Sequence, residues 1–159
     1  MMNFIAIHRG DFIIAISSGL IATFFTWLLT SIKKVRNDKE IFGKIQGEYL
    51  GYSYKEGNPW ELEGDPQSFA KIVYLKENLL KIKLNHWKRG KGKWEGTIIL
   101  SKEHENIGIM HWRYLELDGK NLEEENKIKL GFRRVIVYNS GLIYTVGEGE
   151  YGEEVFKRK

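Results

Sequence analysis

The sequence predicts an all-β fold, an eight-stranded antiparallel up-and-down β-barrel, carried behind an N-terminal transmembrane α-helix. Three observations carry this expectation. Residues 12–32 contain no charge. From residue 45 onward, short segments of alternating polarity follow one another with turn formers between them. The chain has only 2 Pro and an aromatic content of 13%, which suits strands packed on one face. Eight consecutive antiparallel strands in an open sheet leave two unpaired edges, and closure into a barrel removes both.

The helix comes first. At about 1.5 Å rise per residue, residues 12–32 give a helix of roughly 31 Å, matching a hydrocarbon core of about 30 Å. No basic n-region or A-x-A cleavage site frames the segment, so it reads as an uncleaved span rather than a signal peptide. Lys33, Lys34, Arg36 and Lys39 follow it, against only Arg9 before it. The excess of basic residues belongs on the cytoplasmic side. The expected placement is therefore single-pass in the cell inner membrane, with the N-terminus outside and the barrel cytoplasmic. Within the span Ala15, Gly19 and Thr23 form one row of small residues, and Ser18, Ala22 and Thr26 the row beside it. Such a face lets helices approach closely in lipid and predicts a homo-oligomer; the alternative is a plain anchor that contains small residues.

The expected organisation is a transmembrane anchor at 1–33, a juxtamembrane linker at 34–43, which reads as a helix continuation or a charged connector, and a ligand-sensing barrel at 44–159. About 127 residues after the span suit one compact domain. With Cys 0 there are neither disulfides nor thiolate metal sites, in keeping with a reducing compartment. The net charge of +4 suits an anionic surface or a phosphate-bearing ligand, and falls short of a DNA- or RNA-coating protein.

Eight strands are expected. The first, 44–54, places Ile45, Gly47, Tyr49 and Gly51 on one face; its alternate glycines predict bending or close packing. A long loop with Asn58, Pro59, Gly64, Asp65 and Pro66 follows, with Trp60 folding back as a lid or plug. Strands 69–76 and 79–87 join across Glu77 and Asn78 as a tight hairpin. Leu80, Ile82 and Leu84 face the core while Lys81 and Lys83 face water. After the basic turn at 88–92, strand 93–100 points Trp94, Gly96, Ile98 and Leu100 inward. Strand 107–115 is ambiguous, because Ile107 and Ile109 compete with Met110 and Trp112; the reversed parity would put His111 and Arg113 in the pocket instead of Trp112 and Tyr114. An acidic loop at 116–126 precedes strands 128–137, 142–149 and 155–159, the first two joined by a turn at 139–141.

Catalytic signatures are sparse, and the expectation is a binding protein rather than an enzyme, with no cofactor and no metal site. There is no G-x-S-x-G elbow, Walker loop, Rossmann fingerprint or H-E-x-x-H, and the spacing of His104 and His111 does not bring them onto one metal. The run 88–93 reads as a solvated turn, able to attract anionic lipid. Glutamates 123–125, 148, 150, 153 and 154 are expected on faces turned from the membrane. In strand 128–137, Arg134 shares parity with Ile128, Leu130, Phe132 and Ile136, which would send a guanidinium into the barrel. Either a glutamate or the rim neutralises it, or it forms an anion site. In the second case Tyr49, Trp112, Tyr114 and Tyr144 offer stacking surfaces, and His86 a further donor, to a phosphate-bearing base. The alternatives are an ordinary aromatic core and a satisfied or rim-facing His86.

A membrane helix, then Ile45-Gln46-Gly47-Glu48-Tyr49-Leu50-Gly51-Tyr52, Trp94-Glu95-Gly96 and a closing Phe156-Lys157-Arg158, resembles the membrane-anchored β-barrel effectors of bacterial cyclic-oligonucleotide anti-phage signalling (CBASS) and related systems. The resemblance lies in architecture and strand rhythm over nearly the whole chain. It implies a cytoplasmic barrel that senses a cyclic dinucleotide, oligomerises through its membrane segment and disrupts the inner membrane to abort infection, or a barrel that its nucleotide holds silent. That family typically carries two membrane helices, whereas residues 1–9 are too short for a second span. A membrane-tethered lipocalin-like binder of an apolar ligand, or a scaffold without a ligand, is the competing expectation.

Overall fold

The computed structural model describes residues 2–55, 58–87, 92–117, 119–122, 130–147 and 153–159, with 2–17, 54, 55, 59 and 153 described as backbone only. The chain divides into two compact units, Met1–Asn37 and Asp38–Lys159.

Helix α1 runs over Met2–Phe42, so the segment after residue 33 continues the helix rather than forming an irregular linker. The Thr23 hydroxyl donates to the Gly19 carbonyl at 2.8 Å and that of Thr26 to the Ala22 carbonyl at 2.9 Å. Bonds of this kind satisfy a hydroxyl within its own helix. Ser18, Gly19, Ala22, Thr23 and Thr26 are all exposed, and a Cβ at Gly19 would meet nothing within 4 Å. Among the described residues, no helix is long and apolar enough to cross a membrane. Residues 12–17 of the expected span, Ala15 included, lie outside the residues whose side chains are described.

The second unit is an all-β antiparallel barrel. Its strands are β1 (Gly47–Lys55), β2 (Asn58–Lys76), β3 (Leu79–His86), β4 (Gly92–Leu100), β5 (Ile107–Leu117), β7 (Leu130–Val137), β8 (Ile143–Gly147) and β9 (Glu153–Arg158). A two-residue β6 (Lys120–Asn121) hangs on the end of β5, within the expected acidic loop. Each strand pairs with the next around the ring, β5 with β7 across the β6 turn, and β9 returns to β1 from Tyr49↔Arg158 to Tyr52↔Val155. Eight strands thus close without a free edge.

One parity runs inward all the way round. The register joins Tyr49 to Ala70, Ala70 to Leu84, Leu84 to Trp94 and Trp94 to Tyr114, and in the next segment Met110 to Arg133. Partners in an antiparallel pair share a face, so one inward residue fixes its neighbours. Phe42 and Ile45, at the entry to the barrel, are buried in the same core cluster as Ile72, Leu80 and Leu100. They seal this end with apolar side chains.

The structure corrects four expectations here. The region from Asn58 onward is no loop, because β2 starts there and pairs with β1 through bulges, as in Ser53↔Glu63. Trp60 therefore sits on a strand, half exposed, its ring 4.5 Å from that of Tyr138, and plugs nothing. In β7 the inward residues are Arg133 and Val135, while Leu130 and Phe132 are 70% and 66% exposed. Arg134 accordingly points outward. Tyr144 pairs with Ile136 and Val155 on the outer parity, opposite to Ile143 and Thr145. Ile128 and the glutamates 123–125, 148 and 150 lie outside the described residues. The ambiguity in β5 is resolved by Met110, which is fully buried, with Trp112 and Tyr114 on its face.

Two glycines make room for interior side chains. A Cβ at Gly51 would collide with the Ser68 hydroxyl and the Glu154 carboxylate, and one at Gly131 with the Trp112 indole. Overpacking of this kind costs typically 1–3 kcal/mol. Gly51→Ala is expected to lower the free energy of unfolding by about that amount, whereas Gly43→Ala, whose Cβ meets an ordinary contact at 3.6 Å, is expected to change it by less than about 0.5 kcal/mol. Denaturant titration of both variants checks the difference.

Candidate functional site in the barrel interior

Arg133 enters the barrel from β7 and meets charge and hydroxyls carried by β8, β9 and β2. Its Nη1 lies 3.6 Å from Glu154 Oε2 and donates to Thr145 Oγ1 at 3.4 Å. The Thr145 hydroxyl donates in turn to the Glu154 carbonyl at 3.1 Å, and the Ser68 hydroxyl donates to the Glu154 carboxylate. Arg133 is 7% and Glu154 8% exposed, so the pair is removed from water. Burial pushes the Glu154 carboxyl upward against the downward pull of Ser68 and Arg133. Burial likewise draws the Arg133 guanidinium down, opposed first by the charge of Glu154. A glutamate expected at the surface is thus the counter-ion of the interior arginine.

Aromatic rings wall the guanidinium. Its Cζ is 5.7 Å from the Trp94 ring centroid and 5.8 Å from that of Trp112, distances at which a cation is attracted to an indole face. The rings of Trp94 and Trp112 are 6.2 Å apart, and Tyr114 meets Trp112 edge-on at 5.1 Å. Two buried polar atoms in this region have no hydrogen-bond partner among the described residues: Trp112 Nε1 and His86 Nδ1. His86 is held below its ordinary pKa, chiefly by burial and then by the charge of Arg133.

Two depressions lie toward the end opposite Phe42. A depression of about 510 Å³ is lined by His86 together with Asn85, Trp87, Gly92 and the Lys93–Glu116 pair, whose charges are 2.7 Å apart. A groove of about 680 Å³ is lined by Trp112 and Arg133 from the inner face and by Phe132 and Arg134 from the outer. Residues 88–91, 118, 123–129 and 148–152, which connect strands at this end, lie outside the described residues. Among the described residues, no group of three or more His, Asp or Glu is placed to hold a metal ion.

Of the six residues expected to bind a ligand, the structure brings Trp112 and Tyr114 together, with His86 at the same end of the barrel. Tyr49 is inside but nearer the sealed end, where its hydroxyl donates to the Ile45 carbonyl at 2.6 Å and its ring lies under Arg158 at 5.8 Å. Arg134 contributes only from outside, and Tyr144 faces away from the interior. Arg133, Glu154, Ser68, Trp94 and Thr145 were not expected in a site. Arg133 and Arg134 are adjacent in sequence, so parity alone chooses between them, and the apolar content of Leu130, Phe132 and Ile136 favours the wrong one. No protein-family model matches the chain, and no curated protein or solved structure matches it.

Breaking a buried ion pair leaves an uncompensated charge, typically at a cost of 3–5 kcal/mol, whereas replacing both partners with apolar residues is often neutral. Arg133→Met is therefore expected to destabilise by about 3–5 kcal/mol and Arg133→Met with Glu154→Leu by much less; a double-mutant cycle in denaturant measures the difference. His86 supplies a pH dependence. Its folded pKa lies below its ordinary value of about 6.5, so below that pH the unfolded chain binds the proton more readily, and stability rises with pH. The His86 contribution is expected to lower the melting temperature as pH falls through the region below about 6.5, while Glu154, held above its ordinary value, acts in the opposite sense; His86→Gln is expected to remove the first contribution, read as the difference between the two melting profiles.

Proposed function

We propose that this chain is a membrane-anchored sensor whose barrel binds a cyclic dinucleotide at its open end, and whose helices then associate in the inner membrane and disrupt it. The observation that supports ligand binding is the pair of buried polar atoms, Trp112 Nε1 and His86 Nδ1, that have no partner among the described residues, near a guanidinium set between two indole rings. A buried donor without an acceptor costs about 1–3 kcal/mol, which a ligand carbonyl or ring nitrogen returns on binding. Indole faces suit bases and the arginine suits phosphate. The absence of charge over residues 12–32 and the basic cluster that follows support the anchor and its orientation. The reading is of binding without catalysis.

A second reading rests on the Arg133–Glu154 pair. An interior arginine already neutralised, in a core filled by Tyr49, Phe156 and Trp94, favours a tethered lipocalin-like binder or a scaffold, in which the charge pair serves to fix the strand register. Lipid extracted from the purified chain would point to that reading.

The two are separated by thermal melts of the full chain in detergent with a panel of cyclic dinucleotides. Ligand at about 100 times its Kd is expected to add approximately 2.7 kcal/mol of stability. Trp112→Phe, which keeps a ring and removes the donor, is expected to weaken binding by about tenfold. Gly19→Leu is expected to leave binding unchanged while abolishing growth arrest on expression. Melting curves that no cyclic dinucleotide moves would exclude the nucleotide-sensing reading.

A further inference from the structure

The outer wall formed by β5 and β7 carries a contiguous set of exposed apolar side chains. Ile107, Ile109, Leu130 and Phe132 are exposed by 47%, 46%, 70% and 66%. The register places Ile109 opposite Arg134 and His111 opposite Phe132, with Arg113 opposite Leu130, so these side chains are neighbours on one face. Phe132 meets the His111 ring edge-on at 4.5 Å, and Ile109, Leu130, Phe132 and Arg134 border a single groove. Apolar side chains so exposed and contiguous mark a surface with a partner.

Charge identifies the partner. None of the outward positions of β5 over 107–113, of β7 over 130–136 and of β8 over 144–146 carries a carboxylate, whereas Arg113 and Arg134 both lie among them. Two acids adjoin this face: Glu95 on β4 is engaged by Lys81 at 2.9 Å and Arg113 at 2.7 Å, and Glu153 on β9 pairs with Val146, the partner of Arg134. Arg134 takes part in none of the ion pairs among the described residues. Large apolar side chains interspersed with arginine suit the boundary of an anionic bilayer, where the apolar groups enter the acyl layer and guanidinium forks meet phosphate. A protein partner of the same fit would need a carboxylate-fringed apolar patch, and a second copy would bring arginine against arginine, which is unfavourable.

We propose that the β5–β7 wall of the barrel docks on an anionic lipid surface, with Phe132, Leu130 and Ile109 entering the acyl layer and Arg134 binding lipid phosphate. This surface borders the groove that Trp112 and Arg133 of the interior site also line, but the proposal requires neither the dinucleotide reading nor the span.

The chain contains no cysteine, so single labels report cleanly. Phe132→Cys and, as a second probe, Ile109→Cys are made in the full chain and coupled to an environment-sensitive fluorophore; Lys71→Cys serves as the control. Lys71 is exposed on β2, four strands round the ring from β7. The labelled protein is mixed with vesicles of phosphatidylcholine and phosphatidylglycerol bearing brominated acyl chains. The expected result is at least about twofold quenching at 132 and 109, little at 71, loss of quenching when phosphatidylglycerol is omitted, and weaker quenching with Arg134→Gln. Equal quenching at 71 and 132, or none at 132 and 109, overturns the proposal. So does energy transfer between copies labelled at 132 in the absence of lipid, which assigns the wall to a second copy. Alkaline carbonate extraction reads the span independently: a chain that is extracted yet quenched at 132 keeps the wall and loses the span, and a chain that resists extraction without quenching does the reverse.

Discussion

The return of β9 to β1 is the constraint on which the rest of the barrel depends. Four residue pairs, Tyr49↔Arg158 to Tyr52↔Val155, join the two ends of the sheet, and through them Glu154 arrives beside Ser68. Without that pairing β1 and β9 would each present an open edge, and the Glu154 carboxylate, brought to Arg133 along the β7–β8–β9 meander, would lack the Ser68 hydroxyl. The barrel's hydrogen-bond closure therefore completes its interior charge network. It involves residues 86 positions apart in the case of Ser68 and Glu154, so its chain-entropy cost must be met before either contact exists.

An ion pair in the middle of a small barrel does little for stability in itself, because desolvation of both charges offsets much of their attraction. Slipping β7 by one residue would send Arg134 and Phe132 inward and Arg133 and Val135 out, so a guanidinium would face the interior in either register and the apolar side chains around it distinguish the two. Gly51 and Gly131 belong to the same arrangement. One leaves space for the Ser68–Glu154 contact and the other for the Trp112 indole, so two absent side chains shape the polar interior as much as the side chains present.

The two ends of the barrel differ in kind. Phe42 and Ile45 seal one with apolar groups. The other gathers Arg133, His86, Trp112 and the Lys93–Glu116 pair, and it holds two buried polar atoms that no group among the described residues satisfies. A fully side-chain-filled cylinder would leave no such atoms. Apolar closure at one end and, among the described residues, unfinished hydrogen bonding at the other give the fold a direction.

The alternation of Leu80, Ile82 and Leu84 with lysines, and of Trp94, Ile98 and Leu100 with polar residues, was enough to determine strands, inward faces and the antiparallel meander, because a strand's side-chain period is a local property. A barrel followed from strand number and the avoidance of edges. For Trp112 and Tyr114 the sequence left two parities open, and His86 read either as a rim-facing residue or as a donor into the interior. What it left open is what depends on a partner strand. β7 is apolar on both faces, so the choice of Arg133 over Arg134 was made by Met110 and Glu154 across the ladder. Glu154, flanked by a glutamate and by Val155, reads locally as surface, and only barrel closure turns it inward. The reach of β2 back to Asn58 was hidden by turn-forming residues that bulges accommodate. Periodicity is written residue by residue, whereas the pairing of buried charges exists only when distant strands meet.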